Sequence, residues 1–362
     1  MINLKAQEKS DWAVGQNWDE KIQAAVAESK PHIAILGVGG AGCNIVSWIK
    51  DKGITGTRVI ALNTDANHLT ITKADTKILI GEKTCGGQGA GGFPEKGAEA
   101  MKETLPDVLK EVNGSNLVFI ATGMGGGTGT GASVALAEGL KNSGAVTIGV
   151  TTIPFAVERS RTQKAREWLT RLRSACDTVI VIDNNRLLKV AGNMPVKQAF
   201  GVANDLIGSF VKSVSDAISI PSLVNLDFAD LKAVMERGGV SAIGVGEADG
   251  EDRAKRALRM ALENQLLDTY NGIGHAKGAL IQVIGGEDMT LQEINDAGQV
   301  AGEYLSPEAK MIWGAVVEPN YTGHIRTMVA LTGVESAFLN PAKPVAPTAT
   351  PPAPKKKGFF SI

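Results

Sequence analysis

From Pro31 onward, short runs of β-branched and aliphatic residues alternate with longer stretches whose apolar positions recur at steps of three and four. The runs are HIAILG (32–37), TRVIAL (57–62), TKILIG (76–81), NLVFIATG (116–123), AVTIGVTT (145–152) and DTVIVID (177–183). Such nearly unbroken apolar runs predict strands buried on both faces. Between them, NIVSWIKDK sets Ile45, Trp48 and Ile49 on one helical face, and EKGAEAMKETLPDVLKEV predicts a helix ahead of Asn116. This alternation predicts an α/β fold with a doubly wound, mainly parallel sheet. Residues 196–219 space Phe200, Ala203, Ile207, Phe210, Val214 and Ile218 as one helical stripe, which predicts a long helix joining two domains.

Beyond that helix, SAIGVGEA (241–248), ALIQVIGG (279–286), KMIWGAVVE (310–318) and HIRTMVALTG (324–333) alternate with helical EDRAKRALRMALEN and LQEINDAGQVAGEYL. They predict a smaller, mixed-sheet α/β domain. The expected division is an N-terminal extension at 1–30 with a short amphipathic helix, a first domain at 31–195, a central helix at 196–222, a second domain at 223–335, and a Pro-rich linker with a terminal peptide at 336–362. The stretch NPAKPVAPTATPPAPKKK holds six of the chain's 14 prolines and reads as an extended linker. It ends in GFFSI, a candidate recognition peptide in which Phe359, Phe360 and Ile362 would dock in an apolar groove with Lys355–Lys357 near acidic surface.

Charge changes the picture by exclusion. A net charge of −1 with no basic patch interleaved with aromatics argues against nucleic acid as a partner. Cys43, Cys85 and Cys176 form no CxxC pair, and residue 1 onward shows no signal-like pattern, so a reduced, cytoplasmic protein is expected. No apolar run approaches the roughly 20 residues of a membrane-spanning helix, so direct membrane insertion is not expected.

Glycine points toward chemistry. The 43 glycines in 362 residues exceed the usual roughly 7%, and they cluster. Gly37-Val-Gly39-Gly40-Ala41-Gly42-Cys43-Asn44 follows a strand and opens a helix, so backbone N–H groups and the helix dipole face an anion. It matches G-x-G-x-x-G, with Asp65 at the next strand end, and taken alone suits NAD or FAD as well as any other nucleotide. The loop Gly123–Gly131, GMGGGTGTG, forms a second cradle, and Cys85–Gly92 a third. A dinucleotide enzyme needs one such loop, whereas three at neighbouring strand ends suit one triphosphate and its metal. GxxxxGK[ST] is absent, which excludes a P-loop nucleotidase.

In order along residues 31–335, GVGGAGCN, LNTDAN, GGQGAGG, GMGGGTGTG, PFAVE, NNRLL, AFGVANDLI and NLDFADLKAVM resemble the loops of FtsZ, the tubulin-like cell-division GTPases. The N-terminal extension and the segment around Arg161 resemble archaeal members. The resemblance implies GTP/GDP with Mg²⁺, and a GTPase whose active site is shared between adjacent subunits. It implies that Gly40, Ala41, Gly42, Cys43 and Asn44, with Gly127, Thr128 and Gly129, cradle phosphates, and that Glu158 contacts ribose. Asn184 and Asp205 would read guanine; a carboxylate can accept from both N1–H and the exocyclic amine. Many members carry arginine where this chain has Thr162, so Arg161 is expected to take the phosphate-side role.

The same resemblance makes Asn225, Asp227 and Asp230 the catalytic set, inserted into the nucleotide site of the next subunit in a head-to-tail homopolymer. It implies a division ring at mid-cell, with membrane-anchor or division proteins recruited by the terminal peptide. A tubulin-like GTPase for shape or plasmid partition, a GTP-binding scaffold without turnover, and a nicotinamide or flavin oxidoreductase using Gly37, Gly39, Gly42 and Asp65 are the competing readings.

Overall fold

The computed structural model describes residues 31–219, 227–236, 238–267, 272–336 and 338–339. Each of the ten predicted runs is a strand: β1 (Ile33–Val38), β2 (Thr57–Asn63), β3 (Thr76–Leu79), β4 (Leu117–Gly123), β5 (Val146–Ile153), β6 (Thr178–Asp183), β7 (Gly239–Asp249), β8 (Gly278–Gly285), β9 (Lys310–Val317) and β10 (His324–Thr332). They form one sheet in the order β3-β2-β1-β4-β5-β6-β7-β10-β8-β9. The first six are mutually parallel in the order that dinucleotide-binding folds use. Two antiparallel pairings, of β10 with β7 and with β8, together with the parallel pair β8–β9, make the remainder mixed. The two halves of the sheet meet through a short β6–β7 pairing, Thr178 opposite Gly239 to Ile180 opposite Ser241.

The helices are α1 (Gly39–Lys52), α2 (Ala66–Ile71), α3 (Glu82–Cys85), α4 (Pro94–Glu111), α5 (Thr128–Leu140), α6 (Arg159–Ala175), α7 (Asn184–Ala191), α8 (Val196–Ser219), α9 (Phe228–Met235), α10 (Arg253–Leu262) and α11 (Leu291–Tyr304). Alternate strand residues supply two apolar layers. Leu36, Ile120 and Val179 pack with Met101, Val134, Trp168 and Leu258 on one face of the sheet. Ile35, Phe119 and Ile180 pack with Ile45, Ile49, Phe210 and Leu231 on the other. Phe119 of β4 meets Phe210 of α8 edge-on, with ring centroids 6.2 Å apart.

Helix α8 has the predicted bounds, and its 24 residues span about 36 Å at 1.5 Å each. It starts after α7, which leaves the C-terminal end of β6, and it ends at the opposite edge. There Ser219 lies against Gly56, just before β2 begins; a Cβ on Gly56 would stand 3.3 Å from that of Ser219. The helix therefore crosses the full width of the strands. One expectation is corrected: Phe200 does not join the apolar stripe but stays 42% exposed, while Ala203, Ile207, Phe210 and Val214 are buried.

Candidate functional site

The two glycine loops that follow β1 and β4 converge. A Cβ on Gly39 would lie 2.6 Å from the Gly129 amide nitrogen, and one on Gly129 would lie 2.7 Å from the Gly123 carbonyl oxygen. Only residues without side chains allow this approach, and Gly39 also holds a φ of +71°. Both α1 and α5 begin in these loops with no side-chain cap and no acidic residue in the first turn. By contrast, Asp65, Asp183, Asp227 and Thr290 cap α2, α7, α9 and α11. Two neighbouring helix ends thus keep their first N–H groups for an outside acceptor, which suits an anion.

They open into a cavity of about 490 Å³. Gly40, Ala41 and Asn44 line it from the first loop, and Gly127, Thr128 and Gly129 from the second. Around Gly40 and Gly126 a Cβ would meet nothing within 4 Å, so these backbones border open space. Thr128 is steadied by its hydroxyl contact with Thr64 at 2.6 Å. Glu158 and Arg161 form another wall. The Glu158 carboxylate accepts from the Phe155 N–H at 3.2 Å and from Arg161 Nη1 at 2.6 Å. Asn184 is 9% exposed, lines the cavity, and its buried Oδ1 has no hydrogen-bond partner. A buried carbonyl oxygen left without a donor costs about 1–3 kcal/mol, so Asn184 is set for a donor brought by a ligand.

Other predicted residues lie outside this wall. Gly42 and Cys43 are buried behind it, and a Cβ on Gly42 would stand 2.3 Å from the Ala121 carbonyl oxygen. The Cys43 Sγ faces the Gly37 and Leu62 carbonyls at 3.9 Å, and burial pushes its thiol up to about 11, so it packs as a neutral group. The Thr162 hydroxyl donates back to the Phe155 and Glu158 carbonyls, fixing the turn that starts α6 rather than facing the cavity. Asp205 stands one residue beyond the wall residue Asn204, and its carboxylate lies 3.5 Å from Arg326 Nη2.

The third loop packs against the second: Ala90 and the Phe93 N–H would each be 2.9 Å from a Cβ on Gly127. Lys164 of α6 holds it through the Gly92 carbonyl at 2.8 Å. Asp65 accepts from the His68 N–H at 3.1 Å as the cap of α2, which removes the acidic ribose contact that the dinucleotide reading needed.

Asp227 and Asp230 are at the other edge of the sheet, where α8 ends and α9 leads into β7. Asp227 is exposed and accepts from the Ala229 N–H at 2.9 Å as the cap of α9. Asp230 in the first turn is exposed, with Lys310 Nζ 3.9 Å away. Asn225 lies outside the described residues, as do the extension at 1–30 and the terminal peptide. Among the described residues no helix is long and apolar enough to cross a membrane, and no group of three or more His, Cys, Asp or Glu side chains could hold a metal.

Sequence reasoning missed the aromatic side of the cavity. Phe200 and Phe155 line it, with ring centroids 6.0 Å apart, and Asn204 stands one turn along α8 from Phe200. The signal was available: Phe200 is the second residue of AFGVANDLI, and a large ring at the exposed start of a stripe is a candidate for stacking on a planar ligand.

Comparison with known proteins fits this geometry. A model of the GTPase domain of the tubulin/FtsZ family matches residues 32–192, and one of the C-terminal domain of the FtsZ family matches residues 239–335. The chain is 49% identical to cell division protein FtsZ 2 of Methanocaldococcus jannaschii, over 84% of this chain and 80% of that one. It is 45% identical to cell division protein FtsZ 1 of Archaeoglobus fulgidus, over 88% and 86%. An empty FtsZ dimer from M. jannaschii superposes with a TM-score of 0.84 at 42% identity, covering 93% of this chain and 99% of that one. A GTPγS-bound CetZ2 protofilament from Haloferax volcanii shares the fold alone, with a TM-score of 0.72 at 22% identity, over 85% and 96%.

Proposed function

Because this chain belongs to the FtsZ family of tubulin-like, polymer-forming cell-division GTPases, we propose that each molecule binds GTP in the cavity and completes the site of a neighbour with its own acidic loop. The observation that carries this reading is the separation of parts. Among the described residues the one carboxylate in the cavity wall, Glu158, is already held by Arg161 and the Phe155 N–H. The exposed pair Asp227 and Asp230 lies beyond the far end of α8, which runs about 22 Å from the wall residue Asn204 to Ser219, too far to act on the same molecule's nucleotide. A second copy stacked head to tail brings them together, and a heterologous contact of this kind propagates into an open filament.

Within the cavity, the phosphates lie against Gly40, Ala41 and Gly127–Gly129, with the N–H groups of α1 and α5 donating. Glu158 and Arg161 serve the ribose and phosphate side, and Phe200 flanks the base. The Asp205 carboxylate accepts from N1–H and the exocyclic amine of guanine, and Asn184 Oδ1 accepts beside it at the base. The described wall offers Mg²⁺ no carboxylate cluster, so the ion would be held with the triphosphate beside Gly127–Gly129, where it would neutralise phosphate charge. Asp227 and Asp230, with Asn225, orient and deprotonate the attacking water from the neighbour. The terminal peptide recruits division or membrane-anchor proteins to a ring at mid-cell.

Phosphate release measured against protein concentration, with GTP and with ATP in Mg²⁺, tests the shared site. The rate per molecule should be specific to GTP and rise only above a critical concentration. A rate per molecule independent of concentration overturns the proposal. Base reading has its own test. Asp205→Asn replaces an acceptor with an amide that suits the C2 carbonyl of xanthine, so GDP affinity should fall by roughly tenfold or more while XDP affinity rises. Unchanged preference would remove Asp205 from the base site.

A further inference from the structure

Asp205 does not stand alone at the edge of the cavity. Arg326, from β10 in the C-terminal half of the sheet, reaches across to α8 and is itself only 18% exposed at its side chain. Its Nη2 donates to Ser209 Oγ at 3.0 Å and lies 3.5 Å from Asp205 Oδ2, while Nη1 donates to the Tyr321 hydroxyl at 3.3 Å. The buried Nε has no partner. Ser209 is one helical turn after Asp205, so the guanidinium spans two consecutive turns of α8 and is anchored from behind by Tyr321. This places a fixed cation beside one oxygen of the carboxylate, Oδ2.

From this arrangement we infer that Arg326 is a positioning residue for guanine recognition: it pins Asp205 through Oδ2 and so sets the direction in which the carboxylate accepts from the base. The inference rests on the proposed guanine contact of Asp205. An aspartate that is 45% exposed at its side chain has several rotamers open to it, and a guanidinium that orients it reduces what base binding must order. The pinning group belongs to a different half of the sheet from the glycine loops. Base recognition therefore depends on β10 lying correctly against α8, which a site built from the N-terminal half alone would not require.

The test uses the full chain at concentrations below assembly, with GDP and IDP as probes, since inosine lacks only the exocyclic amine. Arg326→Met should lower the preference for GDP over IDP by roughly fivefold to tenfold. Arg326→Lys, which keeps a cation near Oδ2, should recover part of that preference. In an Asp205→Ala background, Arg326→Met should change neither affinity, because the residue acts through the carboxylate. A structural role alone would lower the melting temperature and both affinities together, leaving the ratio and its dependence on Asp205 untouched, and that outcome overturns the inference. If Asp205→Ala itself keeps the full GDP preference, the guanine reading fails first; if it loses the preference while Arg326→Met does not, only the role of Arg326 fails.

Discussion

Asp227→Ala is expected to bind GTP as the parent chain does and to turn it over hundreds of times more slowly. A positioned carboxylate that takes the proton from attacking water contributes about 10²–10⁴ in rate, and Asp227 is too far from its own cavity to affect nucleotide binding. The substitution also removes the cap of α9, because the Ala229 N–H loses its acceptor. That costs about 1 kcal/mol, a small part of the roughly 5–15 kcal/mol typical of a folded domain. Asp227→Asn separates the two effects, since asparagine caps as well as aspartate but cannot take a proton. Phosphate release, nucleotide affinity and the melting curve should be measured on both variants. If Asp227→Asn hydrolyses GTP at the parent rate, the neighbour's carboxylate has no part in the chemistry.

The second large effect concerns two adjacent glycines that differ in what surrounds them. Gly39→Ala places a methyl 2.6 Å from the Gly129 nitrogen, backbone against backbone, at a φ of +71°. The loops must part, so nucleotide binding should fall by about a hundredfold or more, and stability by about 1–3 kcal/mol. Gly40→Ala meets no atom within 4 Å and has no such φ, so its melting temperature should stay unchanged. Its methyl nevertheless stands where phosphate would approach, and affinity for GDP should drop by about tenfold. Titration with a fluorescent GDP analogue, beside a thermal melt, distinguishes the two. Unchanged affinity in Gly40→Ala would mean that the phosphates lie elsewhere.

Much of the architecture was legible because strand and helix formation depends on local spacing. All ten apolar runs became strands, and α8 formed over the residues its stripe predicts, since burial on a sheet or along a helix is written at periods of two and 3.6. Helix α6 was equally legible but went unread. Its buried Ala165, Trp168, Leu169 and Leu172 recur at steps of three, one and three, behind a run of arginines. Helix α5 starts inside the second loop, at Thr128, because glycines with φ and ψ in the helical range continue a helix where sequence suggests a turn.

The site divides along the same line. Sequence determined that glycine-rich loops follow strands and open helices, that hydroxyls accompany one of them, and that two carboxylates stand three apart after the long helix. Tertiary structure alone decided which of these meet. The third glycine loop came to lie against the second, Cys43 turned inward, Thr162 turned back on its own helix start, Phe200 left the core stripe for the cavity, and Arg326 came from 121 residues away to stand beside Asp205. The physical reason is range. Periodicity records whether a residue faces the core, which neighbours in sequence share, whereas contact across the sheet depends on strand order and on the crossing of α8, which no local window of sequence contains.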